Sequence, residues 1–190
     1  MLTLFGSVTS PYVRRLRMVL DGQDYQFREM ELFGKEDRQL LIEKNPTLKI
    51  PMLADDEQFI FDSRTIFRYL TEKFSWTPLS WLQENQLTVI DSANDSLVQM
   101  FILFRSGLDT NEDLLYFNLQ RERIGVVYQD LDSKVANGEF ANWDFPSMCL
   151  FCMLDWVAFR ELISFADYPN LVKFHTQHKA LPIVSETAPE

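Results

Sequence analysis

The sequence predicts an α/β first domain followed by an all-α second domain. Three observations favour this fold class. Short apolar runs alternate with apolar residues at helical spacing through residues 1–75, a proline-containing stretch follows, and the later patterns all have helical spacing. The charge changes at the same place: residues 1–75 carry eleven basic and twelve acidic side chains, and residues 76–190 carry seven and sixteen. We therefore expect a first domain at 1–75, a linker at 76–82 and a second domain at 83–190.

The first domain has the predicted element order βαβαββα. The predicted strands are 2–5, 25–32, 52–54 and 59–61, and the predicted helices begin near Pro11, Glu36 and Ser63. The last two strands flank the acidic turn 55–57, which predicts a β-hairpin. Asn45-Pro46 ends the second helix, because a residue before proline resists helical dihedral angles. Asp62 and Ser63 are both good capping residues for the third helix.

The second domain has four predicted helices and no convincing strand. Apolar residues keep helical spacing from Leu87 to Phe104, and again from Phe117 to Val135 after a start signal at 110–113. A third helix begins near Asp144, in Asp144-Phe145-Pro146-Ser147, and a fourth follows Tyr168-Pro169. Asp144 can cap the third helix, although the usual order of the capping box is reversed there. We expect the tail 185–190 to be loose.

Composition excludes several classes of protein. With 190 residues, 46% hydrophobic content and a mean hydropathy of -0.15, the chain can build a real core and is neither collagenous nor disordered. The net charge of -10 makes nucleic acid and anionic membrane surfaces poor partners. We identify no apolar window long enough to span a membrane and no secretory leader. Two cysteines fit a reducing compartment, so we expect a cytoplasmic protein.

The most informative stretch is Thr9-Ser10-Pro11-Tyr12-Val13, at the predicted start of the first helix. A hydroxyl beside a helix N-terminus can donate to an incoming thiol. The unpaired backbone N–H groups and the helix dipole there favour the thiolate. Ser10 is placed to do this. On this stretch alone, simple capping of the helix by Ser10 is the more frequent explanation.

Two further stretches carry candidate binding groups. A proline before a strand, as in Ile50-Pro51, can be cis and leave the Ile50 backbone free to pair with an extended ligand; an ordinary strand start is the alternative. Ser63 at a helix start can present its hydroxyl and N–H to a carboxylate, with the charge of Asp62 suited to a neighbouring ammonium group. Together these two fit the charged ends of an amino acid, and alone they are a helix cap.

The three stretches, in this order and followed by an all-helical region, resemble the cytosolic glutathione S-transferase family. The small bacterial members with a Ser-Pro-aromatic loop are the most similar. Trp143-Asp144-Phe145-Pro146-Ser147 and Tyr168-Pro169-Asn170-Leu171 also resemble that family's C-terminal pattern, so the likeness covers nearly the whole chain. It implies a thioredoxin-like first domain with a mixed sheet, a helical substrate-binding domain, and a cytoplasmic homodimer active in detoxification. Glutathione is implied as co-substrate, with no metal.

The resemblance also implies roles for individual residues. Ser10 matches the residue that activates the glutathione sulfur, Lys49 and Ile50 match the glutathione-contacting pair before a cis-proline at Pro51, and Asp62 and Ser63 match the pair that holds the γ-glutamyl end. The family more often has Glu or Gln at position 62, so the carboxylate of Asp62 has a shorter reach. A small hydrophobic electrophile is expected between the domains, with Tyr12, Phe101, Phe104 and Arg105 as candidates. Phenylalanines at helical spacing are, however, more often core residues.

Two other functions stay open at this point. The chain can be a non-catalytic, transferase-like module that binds proteins through its acidic helical domain, since a fold does not determine a function. A glutathione-dependent thiol oxidoreductase is disfavoured, because the predicted active-site loop has no cysteine.

Three side-chain groups are interpreted as structural. Cys149 and Cys152 lie in an apolar helix and are predicted to be buried core cysteines rather than a redox pair. His175 and His178 have no third ligand nearby in sequence and are expected to face solvent. The arginines at positions 14, 15 and 17 are expected on a solvated helix face, or with one of them paired to an acid at an interface.

Overall fold

The computed structural model describes residues 1–189, which form two compact units. The first unit contains residues 1–78 together with the segment from Leu181 onward, and the second contains Leu79–Ala180. The sequence analysis assigns all of 83–190 to one helical domain. In the structure the last segment clusters with the first unit instead.

The first unit contains four strands and three helices in the predicted order βαβαββα. They are β1 (Leu2–Gly6), α1 (Pro11–Val19), β2 (Tyr25–Glu29), α2 (Lys35–Lys44), β3 (Met52–Asp55), β4 (Gln58–Phe61) and α3 (Ser63–Lys73). The order of strands in the sheet is β2-β1-β3-β4. Strand β1 pairs in parallel with β2 and antiparallel with β3, and β3 pairs antiparallel with β4, so the sheet is mixed.

The two faces of the sheet bury different residues. Phe5 of β1 and Met52 of β3 belong to one hydrophobic cluster with Leu41 of α2. Leu4 and Leu53 alternate with them along the strands and are fully buried. Helices α1 and α3 pack against each other and against the sheet strands β1, β3 and β4. A sheet with helices on both faces explains why β1 and β3 are apolar along most of their length.

The second unit contains α4 (Trp81–Arg105), α5 (Leu115–Ala136), α6 (Phe145–Phe159) and α7 (Pro169–His178). Helix α6 packs against α4 and α7 and holds the most completely buried side chains of this unit. Its Cys149 and Cys152 are fully buried free thiols, as predicted. This position explains why α6 is apolar around its whole circumference.

The start of α6 is capped as the sequence predicts. The Asp144 carboxylate accepts a hydrogen bond from the Ser147 backbone N–H at 3.2 Å. The Ser147 hydroxyl donates to the Asn142 carbonyl at 2.6 Å, and the Gln83 amide donates to Asp144 at 3.0 Å. The reversed capping box therefore keeps the N-cap and uses its serine to fix the preceding loop.

The predicted start of α5 is wrong. The helix begins at Leu115, its N-cap is Leu114, and no side chain caps it. The polar residues before it stabilise a loop instead, because Asp113 accepts from the Asn118 amide at 2.6 Å and Arg121 donates to the carbonyls of Thr110 and Glu112. A capping pattern in sequence does not distinguish these two uses of an aspartate.

The expected loose tail is also wrong for the part of it that is described. Residues 182–186 form a short helix, α8 (Pro182–Glu186), and both Val184 and Thr187 are buried. The Arg14 guanidinium donates to the Val184 carbonyl at 2.9 Å and to the Thr187 hydroxyl at 3.4 Å. Glu190, the last residue of the expected tail, lies outside the described residues.

The expectation that both histidines face solvent is wrong as well. His175 contacts Asp155 through Nε2 at 2.7 Å and stacks on Phe151. His178 stacks on Trp143, with 4.7 Å between ring centroids. The two imidazoles are partly buried between α6, α7 and the segment before α6, where they pack as flat aromatic rings.

Helix α4 is long and apolar enough to cross a membrane by length and composition alone, which the sequence analysis did not identify. The core helix of a soluble protein passes the same test. The buried face of α4 packs against α5 and α6, which is the position of a core helix.

A carboxylate near the β3–β4 hairpin links the sheet to α3. Asp55 accepts from the Tyr69 hydroxyl and from the Lys73 ammonium group, each at 2.5 Å. These bonds, with that from Lys73 the stronger, lower the pKa of Asp55 below its ordinary value of 3.8. The hydrogen bond to Asp55 raises the pKa of Tyr69 to about 12.

We therefore expect Asp55→Asn to lower the free energy of unfolding at pH 7 by about 1 kcal/mol. Because the folded-state pKa of Asp55 lies below 3.8, its ionised form stabilises the fold above that pH, and this stabilisation is lost as the pH falls through the folded-state pKa. Urea unfolding of both proteins between pH 7 and pH ~2.5 measures the difference. Glu57→Gln, in the same hairpin turn, is the control. A difference that stays constant across this range would contradict the assignment.

Candidate active site

Strand pairing brings the three candidate segments to one end of the sheet. Phe5, near the end of β1, pairs with Met52 at the start of β3, and Met52 pairs with Phe61 at the end of β4. The loop after β1, the turn before β3 and the first residues of α3 therefore all begin at this end. Helices α1 and α3 both start there, so two helix N-termini lie at the same edge, and the dipole of each favours negative charge.

Ser10 is the N-cap of α1. It has extended backbone geometry, and its Oγ accepts from the Val13 N–H at 3.4 Å. The hydroxyl hydrogen is then free to donate outward, which is what a thiolate at this helix end requires. Gly6 lets β1 approach α1 closely, because a Cβ on it would lie 2.3 Å from a Val13 methyl carbon. The capping and the donor interpretations of Ser10 are thus compatible in one geometry.

The turn before β3 is organised by Asn45, which is fully buried. Its amide donates to the Lys49 carbonyl at 2.7 Å, and its Oδ1 accepts from the Thr47 N–H at 3.0 Å and from the Thr47 hydroxyl at 2.7 Å. The Ile50–Pro51 peptide bond is cis. Paired residues of β3 begin at Met52, so the Ile50 backbone lies outside the ladder of the sheet.

Asp62 is the N-cap of α3 in an unusual backbone conformation. Its φ is 70°, a left-handed value that favours glycine, and its Oδ1 accepts from the Arg64 N–H at 2.9 Å and the Thr65 N–H at 3.1 Å. Backbone strain of this kind occurs at binding sites, and here the two cap bonds offset it. The sequence analysis assigns this carboxylate to a ligand's ammonium group, and the structure shows that one of its oxygens already serves the helix.

Ser63 follows as the first residue of α3 and is buried. Ile66 is the first residue of α3 whose N–H reaches back to the Asp62 carbonyl, and Asp62 Oδ1 takes the two N–H groups before it. The Ser63 N–H therefore has no acceptor within the helix. With its hydroxyl, it forms a pair of donors suited to a carboxylate at a helix N-terminus.

The residues expected around the electrophile are placed differently from one another. Tyr12 lies in the first turn of α1, with the Arg15 guanidinium 4.8 Å from its ring centroid. Phe101 packs edge-on against Trp156 at 5.6 Å within the helical unit. Phe104 and Arg105 lie at the end of α4 with exposed side chains.

Two residues of this region were not identified from the sequence. The sequence places Asn45 at a helix stop and at the start of the turn that leads to Ile50-Pro51, but the three bonds of its side chain depend on a loop conformation that has no local sequence signal. Arg14 was expected on a solvated face or in an ion pair, whereas it is buried in α1 and donates to the segment from Leu181. Its position four residues after the Ser10 cap was the signal that could have drawn attention to it.

Within residues 1–189, no three side chains of the His, Cys, Asp or Glu type group together as metal ligands. The chemistry of the region is that of neutral donors, two helix N-termini and one carboxylate. Such an arrangement suits a ligand with anionic groups and an ammonium group.

Comparison with known proteins finds a family model that matches the first unit and solved structures with the same fold. Residues 4–78 match the family model described as the glutathione S-transferase N-terminal domain. A glutathione transferase family member from Pseudomonas fluorescens Pf-5, solved with bound glutathione, has the same fold over 100% of both chains, with a TM-score of 0.86 and 24% identity. The fold is thus a thioredoxin-like domain with a mixed four-stranded sheet, joined to a helical part. Residues 4–78 are thus similar to the N-terminal domain of glutathione S-transferases.

Two curated relatives differ in what they share with the chain. A stringent starvation protein A homolog from Haemophilus influenzae is 28% identical over 100% of this chain and 92% of its own length. A probable glutathione S-transferase from Glycine max is 37% identical over 40% of this chain and 34% of its own length. The transferase relative is thus similar over a shorter part of the chain than the starvation protein homolog is.

We expect Asn45→Ala to lower the free energy of unfolding by about 1–3 kcal/mol, because it removes three hydrogen bonds of a buried side chain and leaves the Lys49 carbonyl without this donor. Thr47→Val removes one of the three bonds and is expected to cost less. Urea unfolding measures both. The exposed Asn111→Ala is the control, and an Asn45→Ala variant as stable as this control would show that Asn45 does not hold the turn.

Proposed function

We propose that this protein is a glutathione transferase, which stabilises the thiolate of glutathione and adds it to a small hydrophobic electrophile. The observation that carries the proposal is the meeting of three polar segments and two helix N-termini at one end of the sheet. The glutathione-bound relative of the same fold supports the choice of ligand.

Each segment has a part in holding the tripeptide. The Ile50 backbone pairs with the extended ligand as an added strand would, and the exposed Lys49 lies beside it for a carboxylate. The Ser63 N–H and hydroxyl bind the α-carboxylate of the γ-glutamyl end. The oxygen of Asp62 that does not cap α3 accepts from the ammonium group.

Ser10 and the N-terminus of α1 act on the sulfur. The Ser10 hydroxyl donates to the sulfur, and the dipole of α1 stabilises negative charge there, so the pKa of the bound thiol falls. The thiol proton passes to solvent. A sulfur lone pair then forms the bond to the electrophilic carbon, and a leaving group or the adjacent atom takes the electron pair.

Four residues are candidates for contact with the electrophile. Of the four candidates, Phe104 and Arg105 have exposed side chains, and Tyr12 lies two residues after Ser10, in the first turn of α1. Phe101 is the weakest candidate, because its ring already packs against Trp156. We also propose that the protein is cytoplasmic, forms a homodimer and acts in detoxification. Light scattering of the purified protein measures its molar mass and so tests the dimer.

A protein-binding module without transferase activity is the second candidate. One observation in its favour is that the stringent starvation protein A homolog, whose name indicates no transferase activity, is similar over the whole chain. The other is that one oxygen of Asp62 is already engaged in capping α3. Calorimetric titration with reduced glutathione separates the two candidates. Micromolar to low millimolar binding supports the transferase, and absence of heat with no thermal shift at saturation supports the module.

We expect Ser10→Ala to slow conjugation of glutathione to an activated aryl halide by about 100-fold, because one preorganised donor to the developing or bound anion is lost. The pKa of the bound thiol, followed by thiolate absorbance, is expected to rise toward the free value of about 8.5. Ser10→Gly keeps the helix within a few tenths of a kcal/mol and also lacks the hydroxyl. It should be as slow as Ser10→Ala.

The control for this pair is Ser7→Ala, which removes a hydroxyl of the same loop that bonds to Thr9 at 3.1 Å. If Ser10→Gly is fully active and Ser10→Ala is only less stable, Ser10 acts solely as a helix cap. That result would overturn its proposed role as a donor to the sulfur.

We expect Asp62→Asn to leave the melting temperature nearly unchanged but to weaken glutathione binding about 10-fold. Asparagine caps helices as well as aspartate and tolerates positive φ, yet it carries no charge for the ammonium group. Asp62→Ala should lower both the melting temperature and the affinity for glutathione. The check is calorimetry with glutathione and with an analogue that lacks the γ-glutamyl ammonium group. If Asp62→Asn weakens the binding of glutathione and of the analogue equally, Asp62 does not bind the ammonium group.

A further inference from the structure

The helical unit carries an apolar groove between the end of α4 and the start of α5. Its volume is about 510 Å³, within the range of binding cavities, and its lining residues are Gln99, Ile102, Leu103, Leu108, Tyr116 and Phe117. The Tyr116 hydroxyl donates to the Gln99 side-chain oxygen, a bond that links the two helices across the groove. We call this feature the α4–α5 groove.

Large apolar side chains in and beside the α4–α5 groove are exposed. Ile102 and Leu108, which line the groove, are 55% and 49% exposed. Next to the lining residues Tyr116 and Phe117 in the chain, Leu114, Leu115 and Leu119 are 49%, 76% and 47% exposed. Single exposed apolar residues are common on protein surfaces, but a cluster of this size beside a groove marks an interaction site. Leu115 and Leu119 are one helical turn apart on the same face of α5, which gives the cluster a direction along the helix.

The segment that connects the two helices beside the α4–α5 groove is acidic, and the exposed Arg105 at the end of α4 directly precedes it. The segment 106–114 that connects the two helices carries Asp109, Glu112 and Asp113 and no lysine or arginine. Asp109 and Asp113 accept from the neutral donors Asn111 N–H and the Asn118 amide. The nearby Arg121 directs its guanidinium to carbonyls of this segment and to Asn118, so it does not face outward as a free cation.

We propose that the α4–α5 groove binds an amphipathic helix of a partner protein, with its apolar face in the groove and lysine or arginine residues at its flanks. Two neighbouring helices with an apolar groove between them accept a third helix, and apolar residues spaced i, i+3, i+4 and i+7 on that helix supply the anchors. The acidic segment selects a basic helix and opposes an anionic lipid surface. This site uses none of the residues assigned to glutathione and does not depend on the transferase proposal.

The test uses a fluorescent leucine–lysine peptide of about fourteen residues, four helical turns, with leucines at helical spacing. A scrambled peptide of the same composition is the comparison, and fluorescence anisotropy with the full chain measures affinity. We expect the amphipathic peptide to bind at least 10-fold more tightly than the scrambled one. The double variant Leu115→Ser/Leu119→Ser should remove this preference, while Val172→Ser, at an exposed valine of α7, should keep it.

The same variants show when the proposal fails. Equal binding of both peptides, or an unchanged preference in Leu115→Ser/Leu119→Ser, would mean that net charge alone attracts the peptide and would overturn it. A dimeric mass that this variant converts to a monomer would make a second copy of the chain the occupant. Binding to phosphatidylserine vesicles that this variant abolishes would make a membrane the occupant. Asp109→Asn/Glu112→Gln should weaken peptide binding and reduce its salt dependence if the acidic segment selects a basic helix.

Discussion

Strand β1 is hydrogen-bonded along both of its edges, and the arrangement of the candidate site depends on this double pairing. The segments that carry Ser10, Ile50 and Asp62 are separated by about forty and by a dozen residues in the chain. They meet only because Phe5, Met52 and Phe61 are in register across three strands. A slip of one residue would move every side chain of a strand to the opposite face and expose the core, so burial of the sheet also protects the register.

Local hydrogen bonds then hold each segment in a conformation that leaves a polar group available. Asn45 makes three side-chain hydrogen bonds within the turn, which hold the backbone before Ile50. Asp62 uses one oxygen for the helix and keeps its backbone at positive φ. Asn45 has no direct role in the proposed chemistry, and only one oxygen of Asp62 has one. Their hydrogen bonds nevertheless determine where the binding groups lie. The strain at Asp62 is the kind of local cost that a binding site retains.

Much of the fold could be predicted because its signals are local. The element order, the capping of α6 by Asp144 and the burial of Cys149 and Cys152 follow from periodicity and from single residue types. The tail was not predictable in this way, because the bonds from Arg14 to Val184 and Thr187 join residues about 170 positions apart. The histidines were misassigned for the same reason, since helical spacing does not reveal that Trp143 and Phe151 cover them. For the site, the sequence located the segments, and the structure added Asn45.

The last segment of the chain belongs to the first unit. Since residues 1–78 and the segment from Leu181 form one unit, the helical unit is an insertion within it rather than a domain appended to it. The buried Arg14 guanidinium on α1 then depends on the Val184 carbonyl and the Thr187 hydroxyl, which the chain supplies only after helices α4 to α7 have been made. Synthesis of the first 78 residues therefore yields a sheet whose first helix still lacks part of its packing. The two units are linked in assembly although each has its own core.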